Sequence, residues 1–83
     1  MDKVLVEVYC PINNKNYDVY IPKTLVVYDV KILLAKLIEN VSNSQYFYEN
    51  QVLLCDYESG KIIGDNLTFD ELNIKNGYKL LLI

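Results

Sequence analysis

Cys10 and Cys55 carry the strongest intrinsic nucleophiles in this sequence, and a thiol works as a nucleophile only beside a base or with a depressed pKa. The chain has no histidine, so the usual base is missing. The same absence, with no CxxC spacing, removes zinc ligation and dithiol redox chemistry. A disulfide is possible on number alone, but two buried or half-buried free thiols are the expected state in a cytosolic chain. Asp70 and Glu71 are adjacent carboxylates, and a first helical turn that welcomes negative charge explains them more simply than acid–base work. Gly60-Lys61 lacks the upstream glycine and following Ser or Thr of a phosphate-binding loop and reads as a turn. No catalytic residue, metal or cofactor is expected, and the chain is read as a non-enzyme.

Eight lysines face eleven carboxylates, for a net charge of −3, and there is no arginine. Nucleic-acid binders cluster their cations to displace counterions from phosphates, whereas these lysines are spread singly from Lys3 to Lys79. Nucleic acid is therefore not an expected partner. No apolar run approaches the roughly 20 residues of a membrane span, and the N-terminus opens on an alternating pattern instead of a basic and then apolar leader. A cytoplasmic location without membrane insertion follows as the expectation. The eight tyrosines suit both contact surfaces, through their large rigid rings with a polar tip, and half-buried strands, where tyrosine is a strong former.

The elements that would position these residues follow from periodicity. With 83 residues, 52% hydrophobic and 23% charged, the chain has enough apolar surface for one small core, a single domain over 1–83. Alternation over Lys3 to Cys10 puts Val4, Val6, Val8 and Cys10 on one side and Leu5, Glu7 and Tyr9 on the other. Pro11 and the run Asn13-Asn14-Lys15-Asn16 reverse the chain, and Tyr17 to Ile21 returns as a second strand closed by Pro22. From about Tyr28 the spacing changes to threes and fours through Val30, Leu33, Leu34, Leu37, Ile38 and Val41, an amphipathic helix with Lys31, Lys36 and Glu39 on its outer face. Its stop is expected over Asn40 to Ser44.

Beyond Tyr46, Phe47 and Tyr48, a third strand is predicted over Gln51 to Cys55, followed by a hairpin turn at Asp56 to Lys61 and a short strand at Ile62 and Ile63. Thr68 and Glu71 have capping-box spacing and predict a single helical turn that carries Leu72 and Ile74 inward. Asn76-Gly77 turns the chain into a last strand, Tyr78 to Ile83. One helix stripe and one sheet face then share a two-layer core. The fold class is α+β, a β-grasp order with a mixed four- to five-stranded sheet on one helix. Its inward set is Val4, Val6, Val8, Val19, Ile21, Val30, Leu34, Leu37, Ile38, Val52, Leu54, Phe69, Ile74, Leu80 and Leu82.

The segment from Asp65 to Leu82, with its Thr-led turn, Asn73-Ile74, Gly77 and a strand bearing Leu80 and Leu82, resembles the close of ubiquitin-like domains. More narrowly, Tyr17-Asp18-Val19-Tyr20-Ile21-Pro22 and Leu72-Asn73-Ile74-Lys75-Asn76-Gly77 resemble the bacterial YukD and EsaB type, small accessory proteins of type VII secretion systems. That resemblance implies an interaction module acting with a protein partner, one class of which is a secretion-system component. The modifiers and sulfur carriers of this fold work through a Gly-Gly tail, whereas this sequence ends Leu80-Leu81-Leu82-Ile83, so conjugation is not expected.

In a β-grasp one sheet face covers the helix and the other looks outward. Leu5 and Tyr9 on the first strand, Leu53 on the third, and Leu81 and Ile83 on the last would form an exposed apolar patch, the candidate protein-binding site. The outer face of ubiquitin, engaged by its partners around the third and last strands, resembles this arrangement. A one-residue slip in the third strand would exchange Leu53 with Leu54. Two rival readings stand beside it: a covalent modifier or sulfur carrier, and a structural protein that forms homodimers through the same patch.

Overall fold

The strongest alternation in the sequence becomes the centre of the sheet. In the computed structural model, which describes residues 2–43 and 51–83, strand β1 (Lys3–Cys10) is flanked on both sides. It pairs antiparallel with β2 (Lys15–Pro22) along its full length and parallel with β4 (Tyr78–Leu82), and β4 in turn pairs antiparallel with β3 (Leu54–Asp56). The sheet order is β2-β1-β4-β3. A parallel pair needs a crossover, and helix α1 (Val27–Ser42) lies in the chain between its two strands. The helix ends at Ser42 with Asn43 as its left-handed C-cap, within the stop predicted over Asn40 to Ser44; Ser44 and the aromatic run Tyr46, Phe47 and Tyr48 lie outside the described residues.

Val4, Val6, Val8 and Cys10 of β1 join Ile21, Leu54, Leu80 and Leu82 and the buried side of α1 in one core cluster. Phe69 and Ile74 close it from the segment before β4. Val19, expected inside, is half-buried and packs on the margin of that cluster.

The third strand is shorter and later than predicted: β3 begins at Leu54 and takes in Asp56, which the sequence reading gave to the turn. The pairing still reaches Leu53, which exchanges both backbone hydrogen bonds with Ile83 at 2.8 and 2.9 Å. The short strand expected at Ile62 and Ile63 is reduced to an isolated bridge, Cys55 to Ile62, so the sheet has four strands.

Of the helix residues expected inside, Val30, Leu34 and Ile38 are buried and Leu37 is not, because the buried face extends instead towards Lys31 and Ala35. Val27, Val30, Lys31, Leu34, Ala35 and Ile38 are buried, whereas Leu33, Leu37 and Val41 are 45%, 37% and 63% exposed. Lys31 was expected on the solvent side. Its ammonium instead lies 3.0 Å from Asp65 and 5.5 Å from the Tyr28 ring centroid. The loop carrying Asp65 explains this, because it also starts the helix. Val26 at the N-cap offers no side-chain acceptor, and the first amides, Val27 and Tyr28, donate to the carbonyls of Leu67 and Asp65 at 2.8 and 3.1 Å. Two of the amides that every helix start leaves open are thus satisfied from that loop, and the docked loop brings Asp65 to Lys31.

The Thr68 segment keeps its predicted cap but forms a hydrogen-bonded turn instead of a helix. Glu71 N–H donates to Thr68 Oγ1 at 3.1 Å and Thr68 N–H to Glu71 Oε1 at 3.0 Å, the reciprocal capping box. Its end is a Schellman closure: Ile74 N–H donates to Phe69 O, Asn73 N–H to Asp70 O, and Asn73 sits at φ 58°. Ile74 and Phe69, the two ends of that closure, are both core residues.

Candidate protein-binding face

Residues paired across strands share a face, so the register lays out the outward side of the sheet row by row. One row crosses Tyr9, Leu81, Cys55 and Ile62. Beside it stand Leu53 and Ile83, opposite one another through their shared hydrogen bonds. Leu53 is 38% and Ile83 46% exposed while Leu54 is wholly buried, so the third strand has the register in which Leu53 faces out. Tyr9 and Leu81 are half-buried.

Leu5 is set apart. It pairs with Tyr20 of β2, and the row between it and Tyr9 is charged: Asp18, Glu7 and Lys79. Four of the five predicted residues, Tyr9, Leu53, Leu81 and Ile83, therefore stand together, with Leu5 across a polar stripe.

Two neighbours that the sequence reading did not assign extend the cluster. Tyr57 follows Leu53 and Cys55 at the same parity, its N–H donates to Lys79 O at 3.1 Å, and its ring meets Tyr9 edge-on with centroids 6.0 Å apart. Ile62, 63% exposed, is brought to Cys55 by the hairpin turn, in which Gly60 adopts φ 73° and Asp56 N–H donates to Lys61 O at 2.9 Å. Continuing the alternation of β3 past Cys55 would have reached Tyr57. Pairing the hairpin back onto Cys55 would have reached Ile62.

Cys55 lies on this face by register, yet it is buried and stands outside the main core cluster. Burial raises its thiol pKa. Cys10, on the core side, is also raised by burial, partly offset by the backbone groups of Ile12 and Asn13. Both cysteines are free thiols and remain protonated at neutral pH, the weakly nucleophilic form.

A polar clasp stands at the opposite, core-side parity of the same strands, where Asp56 pairs with Leu80 and Tyr78 with Val6. Tyr78 hydroxyl donates to Asp56 Oδ1 at 2.7 Å and Ser59 N–H to Asp56 Oδ2 at 2.8 Å. The Tyr78 bond first, then Ser59, holds the Asp56 carboxyl below its usual range, and the same bond raises the Tyr78 phenol. On the other side, Tyr9 hydroxyl donates to Asn14 Oδ1 at 2.6 Å, which fixes the ring from the β1–β2 turn. Rigid aromatic rings with anchored polar tips are characteristic of protein contact surfaces.

Among the described residues, no group of three or more His, Cys, Asp or Glu side chains could hold a metal ion, and no helix is long and apolar enough to cross a membrane.

Solved structures with this arrangement are numerous. The chain is similar to the EccD5 ubiquitin-like domain from Mycobacterium xenopi, with TM-score 0.80 at 15% identity, covering 100% of this chain and 94% of that one. It is similar to the ubiquitin-like domain of the Mycobacterium tuberculosis type VII secretion system protein EccD1, with TM-score 0.76 at 13% identity over 100% and 99% of the two chains. The ubiquitin-like domain of Plasmodium falciparum Dsk2 superposes with TM-score 0.73 at 18% identity, over 96% and 95%. No family model and no curated protein sequence matches the chain. The fold is the ubiquitin-like β-grasp.

Proposed function

We propose that this chain is a non-catalytic protein-interaction domain of the bacterial cytoplasm, an accessory or regulatory component of a type VII secretion system that is not conjugated to targets. The observation that carries the reading is the outer-face cluster of Tyr9, Leu53, Leu81 and Ile83, extended by Tyr57 and Ile62. An apolar and aromatic surface on a rigid sheet, bordered by Glu7, Lys79 and Asp18, has the make-up of an interface centre with a polar rim. Leu5 belongs to that rim side and contributes at the margin. The likeness in fold to the EccD domains and the sequence resemblance to the YukD and EsaB type support the secretory assignment. Two protonated, buried thiols and the absence of histidine support the non-catalytic one.

The test compares affinity capture by the wild-type chain and by the Leu53→Asp, Leu81→Asp double variant, with circular dichroism to monitor folding. The expected result is a secretion-system component captured by the wild type and lost from a folded variant. Capture that survives the double substitution would contradict the docking face. Capture of an adenylating enzyme with adduct formation would replace the reading with a covalent modifier. Sedimentation showing a dimer that the double variant dissolves would replace it with self-association.

A further inference from the structure

The fold gathers three of the eight lysines that the sequence spaces singly. Lys3, Lys23 and Lys75 line one cleft of about 230 Å³, together with Asp70, Asn73 and Asn76. The cleft is built from backbone that is tied down on every side. Lys23 N–H donates to Asp2 O at 2.7 Å and its carbonyl accepts from Asp70 N–H at 3.2 Å; Lys75 O accepts from Tyr78 N–H at 3.1 Å; and Lys3 is paired with Pro22 in the sheet. Asn76 Oδ1 is occupied by Leu5 N–H at 2.8 Å, which leaves its NH₂ group, a donor, as the free end of that side chain. Among the described residues, none of the three lysines has a carboxylate within ion-pair distance.

We propose that this cleft binds the carboxylates of an acidic peptide segment of a partner protein. Three lysines and two asparagines line it, and among the described residues Asp70 is the one negatively charged residue in that lining. The net charge of the chain is −3, so the surface outside the cleft is strongly negative. Such a surface repels extended polyanions such as nucleic acid or an anionic bilayer, yet admits a short acidic segment at one positive spot. Lysines without an arginine supply separate point charges, and carboxylates spaced along a peptide can meet them one at a time.

The test is an amide-resolved NMR titration of the full chain with acetyl-tetraglutamate amide, with tetraglutamine and inorganic phosphate as parallel probes. Saturable shifts centred on Lys23, Asn73, Lys75 and Asn76 are expected, weakening with added salt and lost in the Lys3→Gln, Lys23→Gln, Lys75→Gln variant. Asp70→Asn is expected to tighten tetraglutamate binding roughly two- to fivefold, the scale of one like charge removed from a solvated site. An unchanged affinity in Asp70→Asn would overturn the proposal. So would an equal response in the triple variant, shifts spread over Lys15, Lys36, Lys61 and Lys79, or an equal response to tetraglutamine. Phosphate binding as tightly as tetraglutamate would overturn the choice of ligand.

Discussion

At the scale of single residues, the two thiols and the Asp56–Tyr78 pair make the sharpest predictions. Cys10 and Cys55 are buried and their pKa values are raised by that burial, so the native protein should react slowly with iodoacetamide at neutral pH. Both should label rapidly once it is unfolded; mass spectrometry counts the adducts, and fast labelling of the native chain would contradict the burial. The Asp56 carboxyl is held low in the folded state, so its contribution to stability is complete above the ordinary carboxylate range near pH 4 and is lost as pH falls through the lower folded value. The raised Tyr78 phenol works in the opposite direction, favouring the fold below about pH 10 and losing that contribution as pH rises through its folded value. Urea midpoints for wild type and Asp56→Asn should therefore converge as the pH drops below about 4, with the wild type ahead at pH 6. Side-chain alternation made the outward direction of Cys55 legible in the sequence. Its burial agrees with the buried or half-buried thiol expected there, but the neighbour Ile62 was not legible, because the hairpin turn brings it back to Cys55.

At the scale of elements, the helix separates what periodicity shows from what only packing decides. The three-and-four spacing locates α1, but two adjacent apolar rows, Val30-Leu34-Ile38 and Leu33-Leu37-Val41, both fit an amphipathic stripe. The docked loop at Asp65 settles the choice, because it buries Lys31 beside the first row and leaves the second exposed. Ile38→Ala should cost roughly 2–5 kcal/mol by opening a cavity, while Val41→Lys should stay within about 0.5 kcal/mol; chemical denaturation measures both. Reversed magnitudes would contradict the burial of the Val30-Leu34-Ile38 row. Asp65→Ala should destabilise more than Lys31→Met, because it strands a largely buried ammonium, whereas the methionine fills the same volume without a charge. The Thr68–Glu71 box was legible for the opposite reason: its partners are three residues apart and need no distant contact.

At the scale of the molecule, strand alternation and the order of elements were enough to anticipate the β-grasp, because β1 and β4 each carry an unbroken inward set and the helix lies between them in the chain. The candidate face was legible in its parity. Its extent was not, since the Asp18, Glu7 and Lys79 row that isolates Leu5, and the additions of Tyr57 and Ile62, come from cross-strand register. Among the described residues, the helix row of Leu33, Leu37 and Val41 is a second exposed apolar surface that competes with the outer sheet face for the role of docking site. A photo-crosslinking amino acid placed at position 53 in one variant and at position 33 in another, each expressed in cells that make the secretion apparatus, discriminates between them directly. The docking-face account predicts a covalent adduct to a secretion-system component from position 53 and none from position 33. An adduct from position 33 with none from position 53 would contradict it.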